Sequence, residues 1–182
     1  LFFVMLVCIP FAWMWMLPDP LENFGQSLVA ATLSANNVLL YLTAGYWNLA
    51  SEFKPLLHTW SLGVEEQYYV IFPLLLLLTW RFGKGIVLLS IIVIASVSLA
   101  LSEWLSRENP QAAFFLIHTR AWELLAGSIA AFVVQKRGVQ KNNLLAIIGL
   151  AAIIFAIFFY DETTPFPSVY ALVPVLGVVL LV

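Results

Sequence analysis

Residues Gly85–Ser102 read GIVLLSIIVIASVSLALS, eighteen consecutive positions without a charge. A helical crossing of the hydrocarbon core takes about 20 predominantly apolar residues, so this run is close to the length a span requires. A helix is the expected form, because backbone amides in lipid have to be satisfied within their own segment. The run is continuous instead of alternating in polarity, which argues against an outer-membrane barrel strand. Working outward, five further charge-free runs have the same character: Leu1–Pro18, Tyr68–Trp80, Leu124–Gln135, Leu144–Tyr160 and Val169–Val182.

Composition agrees with that reading. Of 182 residues, 63% are hydrophobic and 10% charged, and the mean hydropathy is +0.98. Soluble domains run at about 45–50% apolar and about 25% charged, and a chain this small leaves too much surface wet to hide the excess. The expected fold class is therefore all-α, a polytopic transmembrane helix bundle of about six spans plus one re-entrant or interfacial segment. A net charge of −2 with 8 Lys and Arg gives no basic face, so no nucleic-acid partner is expected. Cys8, the single cysteine, lies in an apolar run, and the two histidines form no HExxH, so no disulfide and no metal site are expected. The chain starts inside one apolar run and stops inside another, and residues 1–182 read as one partial membrane domain truncated at both ends. The first run lacks the basic flank and small-residue cleavage site of a signal peptide.

Asn23–Ser51 is uncharged but carries Gln26, Ser27, Thr32, Ser34, Asn36, Asn37 and Asn48. So many polar groups suit a helix packed inside the protein, a re-entrant segment, or one lying at the interface. Orientation follows from the short loops. Arg81 and Lys84 share one loop and Lys136, Arg137 and Lys141 another, and basic short loops stay in the cytoplasm. Glu103–Thr119 and Asp161–Ser168 then face outward. Whether Asn23–Ser51 crosses the bilayer decides on which side Asp19–Glu22 lies, and both versions stay open. Most Trp and Tyr residues (Trp13, Trp15, Tyr46, Trp47, Trp80, Trp104, Trp122 and Tyr160) stand near segment ends, as interfacial belts do. Gly127 and Ser128 are small enough for a close helix contact.

Sorting the 18 charged residues by loop leaves four unexplained: Glu65, Glu66, Arg120 and Glu123, each joined directly to an apolar helix. An ionisable group at membrane depth costs about 2.5–3.5 kcal/mol on insertion scales, which makes each a functional candidate. The plainer alternative is that they sit at headgroup level, Glu65 and Glu66 near a helix N-terminus started by Thr59 or Ser61. By the orientation above, both charged pairs begin helices on the external side, and Arg120 and Glu123 share a helix face. Carboxylates, an Arg and His58 at one level would suit acid–base chemistry and the holding of an anion. Ser61 lacks the flanking glycines of a nucleophile elbow, and His118 reads as an interfacial residue.

Pro55–Pro73 reads PLLHTWSLGVEEQYYVIFP and Arg120–Ala131 reads RAWELLAGSIAA. The first stretch strongly resembles the signature of the acyltransferase 3 family of integral membrane acyltransferases. The second is similar to that family's Arg-x-Trp-Glu-Leu helix start. Gly45–Lys54 and ALVPVLG at Ala171–Gly177 resemble its branch acting on surface polysaccharides. The resemblance implies an enzyme of the bacterial inner membrane that moves an acyl group, usually acetyl, from cytoplasmic acyl-CoA to a hydroxyl of a cell-surface glycan such as lipopolysaccharide O-antigen. Acetyl-CoA would be the donor substrate, with no tightly bound cofactor, and the glycan and membrane lipid would be the other partners. The family's proposed catalytic His has an Arg ten residues before it; no Arg stands there relative to His58 or His118, so neither takes that role, and the piece alone is expected to be inactive.

Under that resemblance Glu65, Glu66 and Arg120 are the expected catalytic residues. The carboxylates would orient or deprotonate a His outside the chain or position the acceptor hydroxyl. Arg120 would balance them or stabilise the carbonyl oxygen as it becomes anionic. Glu123 would steady Arg120, and His58 and Trp60 would shape the substrate entrance, where an indole suits sugar stacking. Two other classes stay open: a solute or proton-coupled transporter, which also places charges at depth, and a membrane anchor without chemistry.

Overall fold

Buried serines and asparagines beneath exposed leucines and phenylalanines set the character of this chain. The computed structural model describes residues 1–43, 54, 56–138, 142–161 and 164–182, and among them every regular element is helical. Fully covered side chains include Asn36, Asn37, Ser102 and Thr119, whereas Phe3, Leu77 and Phe158 are more than 70% exposed. A water-soluble protein shows the reverse. Contacts divide the chain into two compact units, residues 1–69 and 70–182.

The first unit holds α1 (Phe2–Trp15), α2 (Pro18–Thr32), α3 (Asn36–Leu42) and the start of α4 (Thr59–Trp80). Pro18 opens α2 at its first helical position, where a missing N–H costs nothing, and Leu17 before it is extended as a pre-proline residue prefers. Phe24, Ser27 and Ala31 form the buried face of α2 at helical spacing. Phe24 packs with Ala12 and Leu56, and Cys8, Met16, Leu21 and Leu28 surround them. The uncharged stretch from Asn23 does not form one helix. α2 ends at Thr32, Ser34 takes φ +57°, in the left-handed region, and α3 restarts at Asn36. Its polar residues Ser27, Asn36 and Asn37 are buried, as a segment packed inside the protein requires. Tyr46, Trp47, Asn48, Lys141 and Glu162 lie outside the described residues.

The second unit takes the rest of α4, then α5 (Lys84–Glu108), α6 (Pro110–Phe115), α7 (Ile117–Arg137), α8 (Asn143–Phe159), a 3-10 turn at Val169–Ala171, and α9 (Leu172–Leu181). Asn109 caps α6 by accepting from the Ala112 amide, with Pro110 behind it, and the Asn142 side chain caps α8 in the same way. α4 and α5 are long and apolar enough to cross a membrane. Phe2–Trp15, Asn143–Phe159 and Val169–Leu181 are apolar but shorter, and 17 residues of helix rise only about 26 Å against a core of about 30 Å.

α5 lies against α7, and α8 against α9. The buried face of α5 runs Val87, Ile91, Ser98, Ser102, Ser106, turning from apolar to polar along its length. Ser98 bridges a pair in α7's own ladder, accepting from the Trp122 amide at 3.1 Å and donating to the His118 carbonyl at 2.7 Å. Ser102 donates to the Pro167 carbonyl at 3.0 Å. α8 and α9 meet at glycines: a Cβ at Gly149 would stand 2.5 Å from the Gly177 carbonyl oxygen, and one at Gly177 would stand 2.8 Å from that of Gly149. Gly127, expected at a close contact, meets no other element among the described residues within 4 Å of where its Cβ would be. Trp122 is also not a belt residue; it is 3% exposed and its indole nitrogen is buried without a hydrogen-bond partner among the described residues, while Trp13, Trp15, Trp80 and Trp104 are exposed.

Candidate functional site

α4 begins at Thr59, which puts Glu65 and Glu66 in its second turn, too deep to serve as first-turn caps. The turn between α2 and α3 packs on this part of α4 at Gly63. A Cβ there would lie 3.1 Å from Asn37 Oδ1 and 3.3 Å from the Ser34 carbonyl oxygen. The absent side chain lets a polar layer close. Ser34 Oγ donates to Glu66 Oε2. Gln67 Nε2 donates to the Ser34 carbonyl and to Asn37 Oδ1, both at 2.8 Å. Asn36 Nδ2 donates to the Leu56 carbonyl at 3.0 Å and to Thr59 Oγ1 at 2.7 Å, fixing the start of α4. Asn36 Oδ1 is buried without a hydrogen-bond partner among the described residues.

The two adjacent carboxylates are therefore not equivalent. Glu66 is held by the left-handed turn, whereas no hydrogen bond or ion pair reaches Glu65 among the described residues. His58 is exposed just before α4, and Trp60 is half-buried in its first turn. Lys54 is a buried cation that sorting charges into loops overlooked: it is 5% exposed and its Nζ donates to Thr43 Oγ1. Burial holds its ammonium below the usual lysine range.

In the second unit the sequence-predicted pair is joined. Arg120 Nη1 donates to Glu123 Oε1 at 3.1 Å and Oε2 at 3.3 Å, and Arg120 Nε donates to the Phe114 carbonyl at 3.2 Å. The Phe114 and Phe166 rings lie 5.0 and 4.6 Å from the guanidinium carbon. Cation–π contact and the ion pair together fix a buried cation whose charge water would otherwise screen. Thr119 locks the preceding turn through the Ala113 and Leu116 carbonyls, both at 2.7 Å. His118 is exposed, and its carbonyl accepts from Ser98. Sequence reasoning missed Ser34, Asn36, Asn37 and Gln67 as a network, although their density was visible. It also missed the Ser98–Ser102–Ser106 stripe, whose four-residue spacing was the available signal.

Chemically, the first cluster presents one oriented carboxylate that can accept a hydrogen bond from a hydroxyl, and the second presents one oriented guanidinium suited to an anionic oxygen. The family described as "Acyltransferase domain", acyltransferase 3, matches residues 1–182. The chain belongs to the acyltransferase 3 family. An uncharacterized protein of Haemophilus influenzae is 32% identical over 173 residues, covering 86% of this chain and 69% of that protein. The peptidoglycan O-acetyltransferase OatA of Listeria monocytogenes is 27% identical over 179 residues, 90% of this chain and 29% of OatA. The O-acetyltransferase OatA of Staphylococcus aureus is 28% identical over 155 residues, 78% of this chain and 25% of that protein. This acyltransferase 3 chain thus spans under a third of the OatA proteins it matches. No solved structure matches it.

Proposed function

We propose that this chain is part of a multi-pass inner-membrane O-acyltransferase that transfers an acyl group, acetyl in the main, from cytoplasmic acyl-CoA to a hydroxyl of a cell-surface glycan. Lipopolysaccharide O-antigen and peptidoglycan are the acceptor classes, the second after the peptidoglycan O-acetyltransferase of Listeria monocytogenes. The six apolar runs then make the spans, the shorter helices among them being completed by tilt or flanking residues. The observation that carries the reading is the half-buried Glu66 carboxylate fixed by Ser34 beside the buried Asn36 and Asn37, in a chain of this family. An ionisable group held on a membrane-spanning helix is costly, which makes it a functional candidate. In this scheme Glu66 orients the acceptor hydroxyl or a neighbouring base, Glu65 supports it, and Arg120, steadied by Glu123, stabilises negative charge on the acyl carbonyl. His58 and Trp60 contact the glycan.

The test supplies labelled acetyl-CoA to membranes containing the full-length protein and measures glycan ester. Ester formation is expected, with its loss in Glu66→Gln and Glu65→Gln while membrane insertion survives. Full activity of both variants would remove the carboxylates from the chemistry. Solute accumulation without ester would replace the enzyme by a transporter.

A further inference from the structure

The end of the second unit remote from Arg120 carries a different kind of site. Arg120 lies in the first turn of α7 and Lys136 in its last, about 24 Å along the axis. There the start of α5 and the end of α7 enclose a groove of about 640 Å³. Lys84 and Lys136 line it together with the apolar Leu88, Phe132 and Val133. The register is the same on both walls. Lys84 precedes Leu88 by four residues and Phe132 precedes Lys136 by four, so on each helix the charge lies one turn, about 6 Å, from an apolar lining residue. Among the described residues neither ammonium is paired with a carboxylate.

A ligand complementary to this groove has an anionic head and an apolar tail attached directly to it. A free phosphate would leave the apolar lining unused, and a zwitterionic headgroup would bring no net charge to two cations. The basic-loop rule places this end at the cytoplasmic face, whose leaflet contains anionic lipid. We infer that the groove holds one anionic phospholipid, its phosphate between Lys84 and Lys136 and an acyl chain along Leu88, Phe132 and Val133. The inference rests on the membrane reading proposed above and is independent of acyl transfer.

The experiment uses the full-length protein in nanodiscs of phosphatidylcholine containing a minor fraction of phosphatidylglycerol, with retained lipid counted by native mass spectrometry. The discs expose both faces, so retention requires neither catalysis nor a particular orientation. One phosphatidylglycerol per protein is expected to stay bound in preference to phosphatidylcholine. That preference falls about tenfold or more in Lys84→Gln/Lys136→Gln and survives in Lys84→Arg/Lys136→Arg, which keeps the charge and reports on folding. Equal retention by the wild type and the Gln variant would overturn the site. So would displacement of the lipid by acetyl-CoA at equimolar concentration, which would give the groove to the donor. Absence of glycan ester in the separate labelled-acetyl assay would defeat the proposed enzyme and leave this result standing.

Discussion

The Ser34 hydroxyl donates to the Glu66 carboxylate across 32 residues of sequence, from a residue whose own backbone is left-handed. The bond selects one of two neighbouring glutamates and holds it against the α2–α3 turn. A hydrogen bond to a charged group contributes about 1.5–3 kcal/mol, so its loss is expected to lower kcat by about tenfold or more with little change in KM. Ser34→Ala and Ser34→Gly both remove the hydroxyl, and glycine also accepts φ +57° without strain. Equal loss in both variants, measured as acetyl transfer by the full-length protein, is the expected result. Recovery in Ser34→Gly would assign the effect to backbone strain.

Gly63→Ala tests the fit of the same layer. The added methyl would press on Asn37 Oδ1 and the Ser34 carbonyl, and Gln67 already holds both. A loss of about 1–2 kcal/mol is expected from overpacking, read as a lowered unfolding midpoint in detergent.

Arg120 and Glu123 are expected to be worth less as a pair than either costs alone. Arg120→Met leaves a half-buried carboxylate without its cation, whereas Arg120→Met/Glu123→Gln removes both charges. The double variant should unfold at a higher temperature than the single one. Arg120→Lys keeps the charge but not the planar group lying against the Phe114 and Phe166 rings, and should be destabilised as well.

Lys54 predicts a pH dependence. Its folded-state pKa is lowered by burial, so between that value and the ordinary 10.5 the unfolded chain holds a proton the folded chain has released. Stability from this group therefore rises as pH increases through that window and is lowest below it. Lys54→Met should flatten the rise, measured as the unfolding midpoint from neutral into alkaline buffer.

The helical class was legible because the apolar runs are continuous, and the ends at Trp80, Gly85 and Leu144 fall within a residue of those of α4, α5 and α8, whereas the α2–α3 break and α6 were not foreseen. The Arg120–Glu123 pair was legible from its three-residue spacing alone. The Glu66 layer was only half legible. The polar density of residues 23–51 pointed to an interior role, but nothing in the order of residues reports a left-handed backbone at Ser34, since serine has no special preference for it. Glycine contacts were misplaced for a related reason. Gly127 and Gly149 look alike in sequence, and only the presence of Gly177 opposite makes one of them a crossing point. Lys54 reads as an ordinary loop cation because burial by distant chain leaves no local trace.

At that crossing, Gly149→Ala would put a carbon 2.5 Å from a backbone oxygen, and the helices would have to part. A loss of about 1–3 kcal/mol is expected, with Gly177→Ala behaving alike in the same unfolding assay.

Two main chains resting on one another leave nothing to trim. Where side chains mediate a joint, a smaller or larger residue can retune its angle by degrees; between Gly149 and Gly177 every available replacement only adds bulk. The α8–α9 crossing therefore has a single setting, and any adjustment of these two helices has to be made a turn or more away from it.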